Sequence, residues 1–209
     1  MRKFIFSLVA ALLFSATSNA EVVIGVSGAL MGFETTGSET LKSSSNVTSA
    51  TKSEEVAVPS IFIELRSEAG VAFGLDYIPM SAEIGAESKT KDDTDTDDSS
   101  DTSGTNKAAA EISNHVTAYI NFPLASSGVY LKAGYIQVTI DTTESLATGT
   151  TYGNADINGV LGGIGYEHRA DNGILVRAEG SYTDYEDVDI TGSTDDDSVS
   201  SKIHAEPEA

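Results

Sequence analysis

The sequence predicts an all-β fold, an antiparallel sheet of eight strands that closes into a barrel. Short segments with alternating apolar and polar residues, rich in Val, Ile, Tyr, Phe and Gly, are separated by segments rich in Ser, Thr, Asp, Glu and Gly. The separating links are long and short in turn, which is typical of a sheet built from successive hairpins. Together these two observations favour an up-and-down barrel.

Seven strands are clear from the alternation, and an eighth is weaker. Their predicted ranges are 22–31, 56–66, 70–80, 112–122, 128–140, 157–168 and 174–190, followed by 199–206. The tight links are 67–70, 123–128 and 170–173, and Asp171-Asn172-Gly173 is the strongest hairpin signal. The long links are 32–55, 81–111, 141–156 and 191–198. We expect them to be flexible loops, because they contain too little apolar surface to offset the entropy of ordering.

The first twenty residues are predicted to be a secretory signal peptide. Arg2 and Lys3 form a basic start, residues 4–14 are apolar, and Ser18-Asn19-Ala20 supplies small residues for cleavage. The apolar run is too short to span a bilayer as a helix, and no later run approaches the ~18 residues that such a helix needs. The expected division is therefore a signal peptide at 1–20 and one barrel domain at 21–209.

The charge and the cysteine count limit the partners and the stabilising chemistry. The formal net charge is −20, which argues against a nucleic-acid partner, because phosphates need a basic surface. An acidic surface attracts cations instead. The chain contains no cysteine, so disulfides do not contribute to its stability.

One parity of each predicted strand is apolar. Successive side chains of a strand point to opposite faces, so a single parity forms one face of the sheet. The apolar sets contain no charged residue: Val22, Ile24, Val26, Gly28, Leu30; Ile61, Ile63, Leu65; Val71, Phe73, Leu75, Tyr77; Val116, Ala118, Ile120, Phe122; Val129, Leu131, Ala133, Tyr135; Val160, Gly162, Ile164, Tyr166; Ile174, Val176, Ala178, Gly180, Tyr182.

The aromatic residues of this apolar parity fall at two levels. Three lie near the tight links, Phe73, Phe122 and Tyr166, and three near the long links, Tyr77, Tyr135 and Tyr182. Two aromatic belts are expected on a lipid-facing surface, where amphipathic rings lie at the headgroups. The sequence therefore predicts a transmembrane barrel with short periplasmic turns and long outer loops. The rival is a soluble lipocalin-like barrel, whose apolar parity would face inward around a ligand.

The opposite parity carries the polar residues and predicts a charged lumen. Its charged members are Glu64, Arg66, Asp76, Lys132, Glu167, Arg177 and Glu179. A barrel of eight strands is just wide enough for side chains to fill it, so we expect these residues to form a salt-bridged network that closes the lumen. The alternative is a gated or narrow ion path through the same residues.

The chain resembles the small bacterial outer-membrane β-barrels, the OmpA/OmpX-like and opacity-protein-like group. The resemblance lies in the signal peptide that leads into residues 22–30, in Gly159 to Glu167, and in residues 174–182 after the Gly173 turn. It implies location in the outer membrane, contact with lipid and lipopolysaccharide, and insertion by the barrel-assembly machinery. Such families end in a strand with a terminal aromatic. This chain ends without one, and Pro207 is a poor residue for a final strand.

Two further candidate sites have weaker patterns. Asp93, Asp95 and Asp97 alternate as the first ligands of a calcium loop do, but Asp98 stands where the turn glycine belongs and no bidentate Glu follows. We expect divalent cations to be attracted only loosely to the acidic loop at 81–111, which contains these residues. His115 lies two residues from both Ser113 and Thr117, the kind of pair that supports acyl transfer.

The sequence therefore predicts a structural or surface-interaction protein without a cofactor and without catalytic activity. The alternatives are a narrow porin-like channel for small solutes or ions and, third, a lipid-modifying barrel enzyme.

Overall fold

The computed structural model describes residues 20–41, 47–92, 103–145, 153–191 and 197–205. These ranges contain ten β-strands and no helix. The strands are β1 (Glu21–Leu41), β2 (Val47–Arg66), β3 (Ala72–Ile78), β4 (Ala82–Asp92), β5 (Ser103–Pro123), β6 (Val129–Ser145), β7 (Ala155–Arg169), β8 (Leu175–Tyr185), β9 (Val188–Thr191) and β10 (Asp197–Ala205). The predicted signal peptide at 1–20 lies outside the described residues except for Ala20.

The ten strands occupy eight positions in one antiparallel sheet. β3 and β4 pair with successive parts of β5 and form one position, interrupted at residues 79–81. β8 and β9 form another, because both pair with β10. Every other neighbour pair follows the chain order, and β10 returns to pair with β1, which curls the sheet into a barrel. The prediction of an all-β, eight-stranded antiparallel barrel is confirmed.

Three tight turns lie at one end of the barrel, which we call the turn end. They follow β2, β5 and β7, as predicted, and each contains a glycine in the left-handed region: Gly70, Gly128 and Gly173 have φ of 83°, 81° and 86°. The turn after β7 is closed by hydrogen bonds from Gly173 N to Ala170 O and from Ala170 N to Ile174 O, both 2.9 Å long. A glycine carries such a φ without steric cost, which is why these links are short.

At the opposite end, which we call the hairpin end, much of the sequence predicted as long links is β-strand. Residues 32–41 and 47–55 are strand and pair with each other, and most of 81–111 and 141–145 is strand as well. Most of their residues are Ser, Thr, Gly, Ala or charged, so their sequences lack the alternation that marks a half-buried strand. Antiparallel pairing nevertheless satisfies their backbone groups, and Thr and Val favour extended backbone. The hairpins therefore continue beyond the apolar part of the barrel.

The exposed large apolar side chains, apart from Met80 and Leu124, belong to the predicted outward parity. They include Val22, Ile24, Val26, Leu30, Ile61, Ile63, Phe73, Tyr77, Phe122, Leu131, Val160, Ile164, Tyr166, Ile174, Val176 and Tyr182. The buried residues face inward, so the core lies inside the barrel and not between two layers. Among the described residues no helix is long and apolar enough to cross a membrane.

Candidate functional site: a filled barrel interior

Four charged side chains from three strands meet inside the barrel toward the turn end. Arg177 of β8 donates from Nη1 and Nη2 to the two carboxylate oxygens of Glu64 on β2, at 2.5 and 2.6 Å. Arg66 of β2 donates two hydrogen bonds to Glu167 of β7, one of them 2.8 Å long. Arg177 Nε also lies 3.3 Å from Glu167, and Arg66 Nη2 lies 3.4 Å from Glu64. Two acids and two bases thus form a closed, neutral group, the ionic quartet.

Glu64 is the centre of the quartet and is completely buried, with 0% exposure. Besides the arginines, it accepts a hydrogen bond from the Tyr119 hydroxyl at 2.9 Å and one from Asn121 Nδ2 at 3.3 Å. A buried carboxylate without partners would be very costly, whereas this one is paired and hydrogen bonded on both oxygens. The strand register makes this possible, because Glu64 is paired with Gly74, which is paired with Tyr119.

A second ion pair extends the network along the lumen. Lys132 of β6 lies 2.5 Å from Glu179 of β8, and the Tyr130 hydroxyl donates to the other Glu179 oxygen at 2.7 Å. The Lys132 ammonium also lies 4.3 Å from the centre of the Tyr119 ring. Tyr119 therefore touches both ion groups, and the six charged residues Glu64, Arg66, Lys132, Glu167, Arg177 and Glu179 form one connected cluster.

Asp76 lies apart from that cluster. Its carboxylate accepts a hydrogen bond from the Ser60 hydroxyl at 2.6 Å, and the Ser60 and Ser27 hydroxyls are also 2.6 Å apart. The structure thus brings together six of the seven predicted lumenal charges and places the seventh in a separate polar chain on β1, β2 and β3.

The two tyrosines and a phenylalanine lie flat against glycines on the neighbouring strand. A Cβ added at Gly74 would be 2.3 Å from the Tyr119 ring, one at Gly165 would be 2.3 Å from the Tyr130 ring, and one at Gly25 would be 2.4 Å from Phe62. Each glycine is the direct cross-strand partner of its ring. The missing side chain lets the ring lie across the inner wall, and this places the tyrosine hydroxyls on Glu64 and Glu179.

These aromatic residues were missed by the sequence analysis, as was Asn121 as a partner of Glu64. The available signal was the inward parity of Phe62, Tyr119 and Tyr130 on strands otherwise lined by polar residues. Pairing each ring with a glycine required the register, and the sequence alone does not fix the register across strands 2 to 7.

Apolar residues fill the interior toward the hairpin end. Phe33, Ile112, Ile136, Val138, Ile140, Ile157 and Tyr185 form one buried cluster drawn from β1, β5, β6, β7 and β8. A smaller one, Val58, Ile78 and Ala82, covers β2, β3 and β4, and Met31 and Val56 pack against both. We call the two clusters together the apolar layer. The charged cluster of the lumen therefore lies toward the turn end, and the interior toward the hairpin end is mainly apolar.

The predicted aromatic belts lie on the outer surface. Phe73, Phe122 and Tyr166 are exposed near the turn end, and Tyr77 and Tyr182 are exposed further along their strands. Tyr135 has the same outward parity but is partly covered by its neighbours. The belts thus flank an outer band of exposed aliphatic residues.

The structure gives Ser113 and His115 different hydrogen-bond partners. A register irregularity between Ser113 and Val116 reverses the parity of the strand there, and Asn114 has a φ of 51°. His115 is buried in the lumen with Nε2 3.4 Å from the Tyr185 hydroxyl, while Ser113 donates a hydrogen bond to Asp141. Thr117, the other residue two positions from His115, is buried like His115 itself.

The calcium pattern at Asp93, Asp95 and Asp97 lies outside the described residues. Within the part of the chain that the structure describes, no group of three or more His, Asp or Glu side chains is arranged to hold a metal ion.

Comparisons with known proteins add little to this geometry. No family model and no curated protein matches the chain. A search of solved structures returned the crystal structure of Neisserial surface protein A, which is 15% identical, with 87% of this chain and 96% of that chain covered and a TM-score of 0.34. At this TM-score the likeness does not support an inference about function.

Proposed function

We propose that this protein is a closed outer-membrane β-barrel with a structural and surface-interaction role, which presents acidic hairpins to the outside. In this proposal the turn end faces the periplasm and the hairpin end faces the exterior. The protein contacts lipid and lipopolysaccharide through its outer band, is inserted by the barrel-assembly machinery, and attracts divalent cations to its hairpins. It binds no cofactor and no nucleic acid, and it catalyses no reaction.

The observation that carries the proposal is that the interior is filled by two successive layers of side chains. The charged cluster around Glu64 closes the half near the turn end, and the apolar layer closes the other half. Ile136 and Val138 in the apolar layer are fully buried. A water-filled path needs polar walls along its whole length, and an apolar constriction disfavours water and ions. The interior of an eight-stranded barrel is just wide enough for side chains to fill it.

Location in a membrane is supported by the outer surface. A soluble protein rarely exposes a contiguous apolar patch larger than a few hundred Å². Here the outward residues of β1, β2, β3, β6, β7 and β8 are apolar and exposed, with aromatic rings on both sides of the band. The inward face carries ion pairs, which a lipocalin-like pocket for an apolar ligand would not contain.

Charge reversal tests the proposal against a channel. Lys132→Glu places a carboxylate beside Glu179, so we expect it to lower the unfolding temperature in detergent and to leave planar bilayers without steady conductance, as for the unchanged protein. Lys107→Glu, at an exposed position of β5, is the matched control and should change neither property. The opposite result would be regular single-channel steps from the unchanged protein. If Lys132→Glu alters the size of those steps and leaves the unfolding temperature unchanged, the interior conducts.

A narrow passive pore is the second candidate function, and one observation favours it. The Lys132–Glu179 pair is less buried than Glu64, with side-chain exposures of 13% and 24%. An ion pair of this kind can separate at lower cost than the buried quartet. The conductance experiment above decides between the two functions.

A further inference from the structure

A small cavity lies at the turn end, beside the link at 123–128 that joins β5 to β6. Its volume is about 170 Å³. Its lining includes Ala125 and Ser126, which are exposed residues of the link, and Asn121 and Tyr130, which are each only 2% exposed. We call it the turn-end cavity. It forms a recess that leads from the surface of the turn to the buried charged cluster.

Two buried polar atoms of the lining residues have no hydrogen-bond partner among the described residues. They are Arg66 Nε and Asn121 Oδ1. Buried polar groups in proteins are nearly always hydrogen bonded, because an unsatisfied one has lost its bonds to water without replacement. Two such atoms at one small cavity therefore point to a ligand that supplies a partner for both.

The orientation of both side chains is fixed by the ionic quartet. Asn121 donates from Nδ2 to Glu64 at 3.3 Å, which directs its Oδ1 away from that carboxylate. Arg66 contacts Glu167 and Glu64 through its two Nη atoms, so its Nε–H remains unused. The cavity thus offers one donor and one acceptor, and buried partners hold both in place.

The strand register brings these two side chains into one row across the sheet. Arg66 of β2 is paired with Ala72 of β3, and Ala72 is paired with Asn121 of β5. Neighbouring strands lie about 4.8 Å apart, so β2 and β5 are about 10 Å apart in this row. Ala72 has only a methyl group, so no long side chain separates Arg66 from Asn121.

The charge around the cavity favours a neutral ligand. Arg66 and Glu167 both line it, and they are paired with each other in the neutral quartet. A carboxylate would place an oxygen lone pair against Asn121 Oδ1, and an ammonium has no acceptor for the Arg66 Nε–H. A carboxamide carries a carbonyl oxygen and an N–H group on the same carbon atom, so it matches both partners.

We propose that the turn-end cavity binds a neutral carboxamide group, of the kind that ends an Asn or Gln side chain. The carbonyl oxygen accepts from Arg66 Nε, the amide nitrogen donates to Asn121 Oδ1, and the carbon stem packs against Pro123 and Val129. A water molecule has about 30 Å³ of liquid volume, so the cavity is several times larger than one bridging water needs. Drug-sized ligands occupy about 300–1,000 Å³, so a single side chain or a small amide suits this volume.

Nuclear magnetic resonance of the whole protein in detergent micelles tests the proposal. The probe is acetamide, and the signal is the Arg66 Nε–H resonance of an isotope-labelled sample. We expect a saturable shift with acetamide and at least about tenfold weaker binding of acetone and acetate, because neither has an N–H group and acetate adds a charge. A Gly-Gln-Gly peptide separates the two sources of the group. Tighter binding than acetamide identifies a partner polypeptide, and binding no tighter than acetamide identifies a small free amide.

Two variants remove the site by different means. Asn121→Leu removes the acceptor at similar volume, and Ser126→Trp fills the opening of the cavity while the polar atoms stay in place. Each should weaken acetamide binding at least about tenfold. Asp171→Trp, on the exposed link at 170–173 and outside the cavity, is the matched control for Ser126→Trp and should bind like the unchanged protein. If Asn121→Leu does not fold, Ser126→Trp decides, because residue 126 is exposed on a turn.

Equal binding of acetamide, acetone and acetate would overturn the proposal, and so would acetamide binding that survives Ser126→Trp. A resonance that no probe shifts would also overturn it, because water alone would then satisfy the two atoms. The titration does not depend on the proposed function. Failure of that function appears instead in the conductance experiment, or as a protein that stays monomeric in water without any amphiphile.

Discussion

Removing the charge of Glu64 is the most direct test of the ionic quartet. In Glu64→Gln the side chain keeps its size and its place beside Tyr119, but Arg177 loses a carboxylate that it contacts through two hydrogen bonds of 2.5 and 2.6 Å. Arg66 loses its 3.4 Å contact and keeps Glu167. The substitution thus leaves the buried Arg177 guanidinium without most of the negative charge that balances it.

The expected magnitude follows from burial and from the number of partners. Removing one partner of a buried ion pair typically costs about 3–5 kcal/mol, since the remaining charge stays buried. Arg177 retains a contact with Glu167 and stacks near Tyr130, which favours the lower limit, about 3 kcal/mol. Glu21→Gln removes an exposed ion pair with Arg169 and should cost about 1 kcal/mol or less.

Urea unfolding in lipid vesicles measures both values. The chain contains no tryptophan, so the transition is followed by far-ultraviolet circular dichroism and by the shift in gel mobility on heating. The double variant Glu64→Leu, Arg177→Met removes both charges and should recover most of the lost stability, because an apolar pair of similar volume often replaces a buried ion pair without cost. A Glu64→Gln variant as stable as Glu21→Gln would refute the interpretation of the quartet as a structural element.

Three further substitutions probe the interior and one turn. Gly74→Ala should destabilise the barrel by at least about 1 kcal/mol, because its Cβ would lie 2.3 Å from the ring opposite, while Gly162→Ala, with no atom within 4 Å of the added Cβ, should change stability little in the same urea titration. Ile136→Ala should cost about 2–5 kcal/mol through a cavity in the apolar layer, and the exposed Ile164→Ala should cost much less; a similar loss for both would contradict a packed interior. Ala125 has a φ of 57°, so Ala125→Gly should raise the unfolding temperature by relieving a strain of about 1–2 kcal/mol, and a decrease would argue against that strain.

The sequence predicted the barrel and its two faces because hydrophobic alternation is strongest where a strand separates two different environments. Ile61, Ile63 and Phe73 are outward and Glu64 and Arg66 inward, as their parity indicates. Strand pairs between sequence neighbours follow from the turn residues alone. This is why the tight links and the charged residues of the lumen could be identified before the structure was known.

Two features were beyond that method for physical reasons. The polar hairpin at 35–41 and 47–55 is held by its backbone hydrogen bonds. Backbone pairing of this kind cannot be predicted from the hydrophobicity of the side chains. The apolar layer involves inward residues such as Ile136 and Val138, which belong to the parity that carries charge elsewhere in the barrel. A single-strand pattern cannot reveal that the environment on one face changes from ionic to apolar along its length.

The order of pairing has a consequence for how the chain folds. The ladders from β1 to β8 join strands that follow one another in sequence, with β3 and β4 together facing β5, so these hairpins can form one after another. The contact between Thr36 and Lys202 is different, because it joins the two ends of nearly the whole chain. Loop-closure entropy increases with loop length, and non-local pairing slows folding. Circularisation is therefore expected to be the slow event, and an open, curled ribbon is the species that precedes it.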